Sequence, residues 1–344
     1  MNYNLLLDNL TNPALLFFVL GIFAVYLKSD LEIPENSSKF ISLYLLFAIG
    51  FRGGQELSHE ALTPEIGWSM LFGIFISLMI PLYSFFILRR KLSIYDAGAI
   101  AAAYGSVSAV TFVTAVSFLE AQQLTLHGHM VAIMALMESP AIIIGLVLIS
   151  TFNKDSSTSI KKRSVLKHSF TNGSVLLILG SLLIGYVANA KQAEGIKPFT
   201  NDLFKGFLAI FLLDMGITSG RKLKAFFSFG SFPILFAILI PLFNGSLIAF
   251  MSQMVTADIT NRFMFAILAA SASYIAVPAA MKISVPKANP GLFLPMALAV
   301  TFPVNITIGM PIYFIIVQVY IIKNKIIVEL KNKLTQKIWP NTII

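Results

Sequence analysis

The sequence predicts an all-α membrane protein: ten transmembrane helices in two inverted five-helix repeats, with broken helices four and nine crossing at the midplane. Three observations lead there. The 344 residues are 57% hydrophobic and 12% charged, where a soluble domain carries about 25% charged residues. Apolar runs of membrane-spanning length follow one another through short links, which leaves no room for a large soluble domain. Two of those runs, 95–120 and 266–282, are interrupted at matching places.

In chain order the spans read 13–27, 37–51, 66–88, 95–120 and 129–152, then 170–190, 199–220, 226–255, 261–285 and 292–322. Span two ends in the polar run GFRGGQELSHEALTPE, and span three closes on Arg89-Arg90-Lys91. Span four is weakened at Tyr104-Gly-Ser-Val-Ser108, because Gly and paired Ser are poor helix-interior residues. Its second half should begin near Ser106, with free N–H groups and the positive dipole end facing inward. Span five carries Glu138-Ser-Pro140. In span nine, ILAASASYIAVPAAM, Pro278 cannot continue the backbone ladder. Span eight is long enough to tilt or to contain a break.

The organisation is a first repeat over 1–152, a basic linker over 153–169, a second repeat over 170–322 and a lysine-rich amphipathic tail over 323–344. Order-preserving matches support the repeat. Met79-Ile-Pro81-Leu pairs with Leu239-Ile-Pro241-Leu, Ala48-Ile-Gly50 with Asp214-Met-Gly216, and the Met134 to Pro140 run with the Met296 to Pro303 run. Five spans per half is odd, so the second half enters from the opposite side. Loops after odd-numbered spans hold roughly 15 Lys and Arg against roughly 4 after even-numbered spans, which places the odd loops in the cytoplasm and both termini outside. The tail's lysines run against this. The net charge of +9 follows from such loops and is not a nucleic-acid footprint.

Several classes are unsupported. Without cysteine, disulfides and thiolate metal sites are excluded. No HExxH, GxSxG or P-loop pattern occurs, and Asp214 has no second aspartate in a matching motif, so no enzyme is expected. His127 and His129 read as surface polarity in a loop. Arg52 and Glu56 read as a pair at a solvated span end. The start of the chain lacks a basic region and a small-residue cleavage site, so no removable signal peptide is expected.

Ionisable groups inside spans are expensive and point to function. Glu138 and Asp214 are the candidates; Asp96, at the start of span four, reads as a helix-start carboxylate. A carboxylate beside hydroxyls and exposed carbonyls suits Na⁺, a hard cation. Glu138, Asp214, Thr111 and Asn305 form the expected sodium site, with Thr307 a further oxygen. The two inward half-helix N-termini suit a small anion without a buried cation; Ser106, Ser108, Ser271 and Ser273 line that expected site.

The order GSVSAVT, MESPA, LLDMG and AASASYIAVPAAMKISVPKANPG resembles the sodium-dependent bicarbonate transporter family known from cyanobacteria, over nearly the whole chain. The resemblance implies ten spans in inverted repeats, a core domain moving against a gate domain, homotrimers, and bicarbonate carried with Na⁺ between the broken helices. It also implies a PII-like regulatory protein on the cytoplasmic face. This chain departs from the family pattern at Val107-Ser-Ala-Val-Thr111, in its shortened inter-repeat linker, and at Tyr274, which stands where the family has a carboxylate and joins the expected anion site. An acid is kept at Glu138.

The resulting expectation is a multi-pass carrier of the bacterial inner membrane, surrounded by lipid. It would import a small anion, bicarbonate first, by sodium symport and alternating access, with spans four, five, nine and ten rocking against the rest. Na⁺ is the coupling ion, and no cofactor is expected. The alternatives are a Na⁺- or H⁺-coupled carrier of a small organic carboxylate and a non-transporting membrane sensor.

Overall fold

A computed structural model describes residues 11–61, 63–153 and 173–319. They fold into helices joined by short links, and no strand occurs among the described residues. Six helical segments are long and apolar enough to cross a membrane, and three shorter apolar helices accompany them: Pro13–Tyr26, Gly173–Val187 and Ile259–Ala270. The basic linker beyond Asn153 and the tail at 323–344 lie outside the described residues.

The first helix, α1 (Pro13–Tyr26), starts with Pro13 inside its first turn, and the Asn12 side chain accepts from Ala14 N–H at 2.9 Å. Next, α2 covers Glu35–His59 and α3 Pro64–Leu88. The polar end of span two, expected as a loop, is helical. Gly50 and Gly54 of α2 back directly onto the main chain of α7 (Gly173–Val187). Arg52 is paired with a carboxylate of another helix, so the helix can continue through its polar turn.

Two helices replace span four: α4 (Ile94–Gly105) and α5 (Ala109–Ala121). The second half begins at Ala109 rather than Ser106, because Ser108 is its N-cap. Then come α6 (Gly128–Phe152) and α7. The segment read as the link to span seven is helical too: α8 (Ala190–Lys197) runs through a wide turn at Pro198–Asp202 into α9 (Phe204–Phe226). Asn189 caps α8 by accepting from Gln192 N–H at 2.9 Å.

Gly230 takes a φ of 85°, a glycine-favouring value, where the chain reverses into α10 (Ser231–Met251). That helix runs unbroken through Pro241. Span nine is α11 (Ile259–Ala270) and α12 (Ala276–Ser284). Its interruption lies over 271–275, ahead of Pro278. Pro278 falls in the first turn of α12, where a missing N–H costs nothing because that N–H would have no partner in the helix. The last described helix, α13 (Pro290–Val319), includes π-helical turns at Met296–Thr301 and Asn305–Gly309. Pro295, Pro303 and Pro311 each withhold an N–H along it, which favours such widened turns.

Two packing units emerge. In one, α1 crosses α9 and α2 crosses α7 at close range. Gly21 and Gly216 bring the first pair together, and Gly50, Gly54 and Gly185 the second; a Cβ at any of them would overlap the facing backbone. Small residues serve this way where lipid removes the hydrophobic drive for association. In the other unit, α3 lies along α4 and α6, and α10 along α11. The interrupted helices form its centre: every residue from 97 to 108 and from 260 to 273 is buried. Their Ala-, Gly- and Ser-rich sequences let neighbours approach from all sides. Leucine, phenylalanine and tryptophan side chains such as Trp68, Phe75, Leu183 and Leu239 are exposed on the outside, as a lipid-facing surface requires.

Candidate functional site

The two interruptions are bonded to each other. Ser108 N–H donates to Ser271 Oγ at 3.1 Å, and Ser273 N–H donates to Ala103 O at 2.8 Å. Each link satisfies a backbone or hydroxyl group that its own helix leaves open. Ser108 Oγ accepts from Thr111 N–H at 3.1 Å and so caps α5. Ser271 Oγ donates to Leu268 O at 3.0 Å, and Ser273 Oγ accepts from Val277 N–H at 3.4 Å.

Helix α13 braces the second interruption. Asn305 Nδ2 donates to Ala270 O, the last carbonyl of α11, at 2.7 Å. Asn305 Oδ1 lies 3.0 Å from the Tyr313 hydroxyl, which is also 3.1 Å from Pro241 O. The ring of Tyr313 fills the space that Gly245 and Gly309 leave. On the other side, Thr301 Oγ1 donates to Ala237 O at 2.7 Å, so Tyr104 is the donor in its 2.7 Å bond to Thr301. Pro81 packs onto Gly105 at the end of α4.

Two hydroxyls in this bonded core have no partner: Ser106 Oγ and Tyr274 OH are both buried without a hydrogen bond. Tyr274 lies beside Ser108 and within electrostatic reach of Asp214. Unpartnered buried hydroxyls are rare because each costs about 1–3 kcal/mol. Beside them, α5 begins with the first-turn N–H groups of Ala109 and Val110, which have no intrahelical partner. Hydroxyls and inward N–H groups at a helix start can hold a small anion.

The expected sodium ligands are dispersed. Thr111 sits in the first turn of α5. Asn305 bonds Ala270 and Tyr313. Asp214, on α9, accepts a hydrogen bond from Ser38 of α2, so its carboxylate approaches Tyr274 from the first packing unit. Glu138 is half-buried on the α6 face that also carries Ala141 and Gly145, which pack against Gly105 and Ala102. It makes no hydrogen bond or ion pair among the described residues, and none joins it to Asp214. Asp96 has the structural role expected: it accepts from Ser93 Oγ at 2.7 Å and from Asn289 N–H at 2.7 Å, tying the start of α4 to that of α13.

Three readings need correction. Arg52 pairs with Glu120 of α5 rather than with Glu56, and Lys205 lies 3.5 Å from the same carboxylate. His127 and His129 are not loop decoration; both engage Glu60. A fully buried cation, Arg262, lies in the first turn of α11, donating to Ala249 O at 2.9 Å. Tyr104, Thr301, Tyr313 and Ser38 were not singled out from sequence. Only Tyr104 left a signal there, as a lone hydroxyl-bearing aromatic in an alanine run beside the interruption.

Interrupted helices bonded to each other and accompanied by long apolar ones define a multi-pass helical membrane protein whose polar groups converge inside the bundle. The comparison with known families is specific: the chain belongs to the Na⁺-dependent bicarbonate transporter superfamily, whose profile matches residues 13–318. Among curated proteins no significant match is found.

Proposed function

We propose that this protein is a sodium-coupled symporter that imports a small anion, bicarbonate first, by alternating access. The observation that carries the reading is the pair of unpartnered buried hydroxyls, Ser106 and Tyr274, beside the inward start of α5 where the two interrupted helices meet. Ser108, Ser271 and Ser273 fix that meeting point. No Lys or Arg is among these groups, so the anion is small and Na⁺ supplies the balancing charge. Asp214 and Glu138 are the carboxylates offered to Na⁺. Glu138 is the coupling candidate, since no described residue neutralises it.

The ten-span inverted repeat is part of this proposal. Glycine-mediated pairing of α1 with α9 and of α2 with α7 supports it: a two-fold exchange of the halves turns one pair into the other. The moving body is then α3–α6 with α10–α13, larger than spans four, five, nine and ten alone, because α3 packs along α4 and α10 along α11. Loop charge assigns the face where α2 ends to the outside of the bacterial inner membrane. The homotrimer and the PII-like partner that the family resemblance implies are proposals of the same kind, with no supporting feature among the described residues.

Tyr274 favours one second reading. Standing where the family pattern has a carboxylate, it re-aims the site toward a small organic carboxylate on the same fold. Uptake of labelled bicarbonate into proteoliposomes, at clamped pH and with CO₂ leakage subtracted, tests the proposal. Saturable uptake that needs Na⁺ and fails with K⁺ is expected. Folded protein that moves no bicarbonate above empty vesicles would refute that substrate.

A further inference from the structure

A second ionisable cluster lies away from the helix interruptions, where α2 ends and α6 and α11 begin. Glu60 follows α2, His127 precedes α6, and Asp258 is the N-cap of α11. His127 stands between the carboxylates, with Nδ1 3.6 Å from Glu60 and Nε2 3.5 Å from Asp258. Glu60 also accepts from Gly128 N–H at 2.6 Å and meets His129 Nδ1 at 2.7 Å. His129 Nε2 is buried with no partner. Among the described residues no group of three or more His, Asp or Glu is arranged to hold a metal ion.

An imidazole held between two carboxylates needs both ring nitrogens protonated. A neutral ring has one N–H and must turn a lone pair toward the other carboxylate. We propose that Glu60, His127 and Asp258 form a proton-dependent latch that fastens the end of α2 to the starts of α6 and α11, and that loss of the His127 proton releases it. The latch joins the two packing units, since α2 belongs with α7 and α6 with α3 and α4. The groups facing His127 are Glu60 from the α2–α3 link, Asp258 from α11 and the neighbouring His129 ring, 5.7 Å away between centroids.

The pH window follows from these contacts. Asp258 first and Glu60 second push the His127 imidazole up to about 10 from an ordinary value of 6.5. Burial alone would raise Glu60 and Asp258, yet the facing His127 imidazole, together with Gly128 N–H and His129 at Glu60 and Asn261 N–H at Asp258, holds both below their ordinary values of 4.5 and 3.8. A raised histidine makes the latch complete below about 6.5 and weakens it progressively as pH rises toward 10. Depressed carboxylates keep it intact above about 4.5 and lose it as pH falls through their lowered values. Between pH 6 and 9 the histidine alone would weaken closure by roughly two hundredfold. Solvent screening reduces this, because the His127 side chain is 40% exposed, and about tenfold is the effect expected.

The chain has no native cysteine, so spin labels at Ser58→Cys and Thr125→Cys report the α2–α6 separation alone. Both positions are exposed and outside the cluster. In nanodiscs both faces share one pH, so the readout does not depend on membrane orientation or on transport. Pulsed electron–electron distances should show one short population at pH 6 and a longer one whose ratio to it rises about tenfold by pH 9. His127→Gln should show the longer population at both. An unchanged wild-type distribution between pH 6 and 9 overturns the latch, whether or not the variant folds, as does a His127→Gln protein that still follows pH.

Discussion

Asn305 is the residue through which α13 holds the end of α11, and replacing it by Ala isolates that role. Asn305, Ala270 and Tyr313 are all fully buried. The substitution removes the donor to Ala270 O, a buried carbonyl that the interruption has already stripped of a helical partner. Tyr313 keeps Pro241 O as acceptor at 3.1 Å, so its hydroxyl is not orphaned. One buried carbonyl left open costs about 1–3 kcal/mol. An average side-chain hydrogen bond in a membrane protein is worth only about 0.6 kcal/mol. The Ala270 carbonyl loses its donor outright, so a loss of about 2 kcal/mol is expected; Tyr313→Phe removes a single hydroxyl proton that Asn305 Oδ1 and Pro241 O share and should cost about 1 kcal/mol, that of one average hydrogen bond. Ser150→Ala is the control: its hydroxyl bonds only the local Val147 O on an exposed helix face and should change stability by less than about 0.5 kcal/mol. Thermal unfolding in one detergent, at one scan rate, ranks the three. Asn305→Ala unfolding at the same temperature as Ser150→Ala would refute the bracing role.

Other expectations follow from single contacts. Gly105→Ala drives a Cβ into Pro81 and should cost about 1–3 kcal/mol; Gly67→Ala, with open space around it on α3, should gain about 0.5–1 kcal/mol, and parallel melting curves check both. Ser108→Ala removes the α5 cap and should lower stability by about 1 kcal/mol while raising the uptake KM more than it lowers kcat. Glu138→Gln should leave a folded protein whose uptake no longer depends on a Na⁺ gradient; unaltered Na⁺ dependence would exclude it from coupling. Glu120→Gln frees Arg52 and Lys205 and should cost about 0.5–1 kcal/mol at low salt, an effect that 0.5 M salt shrinks.

The interruption in span four was readable because Gly105, Ser106 and Ser108 weaken a helix at a depth where no water can repair it. The second interruption was read at Pro278, but proline is harmless in a first helical turn; the stretch that breaks is 271–275, whose serines bond the other half. The polar end of α2 looked like a loop because its charges are visible locally, while the Glu120 that neutralises Arg52 lies far along the chain. The histidines failed for the same reason: Glu60, His127 and Asp258 belong to three separate links, and no local pattern announces that they meet. Tyr313 and Thr301 had no signal, being ordinary span residues until α10 packs against them. Periodicity and composition report on backbone and lipid, whereas pairings between distant helices need the fold.

The claim that the meeting of α4, α5, α11 and α12 is the anion site has a direct test. Ala109→Cys places the chain's one thiol at the start of α5, at a half-buried position. Its rate of modification by a small thiosulfonate reagent should fall when bicarbonate and Na⁺ are present together, and change little with either bicarbonate in K⁺ or Na⁺ without bicarbonate. A thiol that never reacts, or one that reacts equally fast under all of these conditions, would contradict the site.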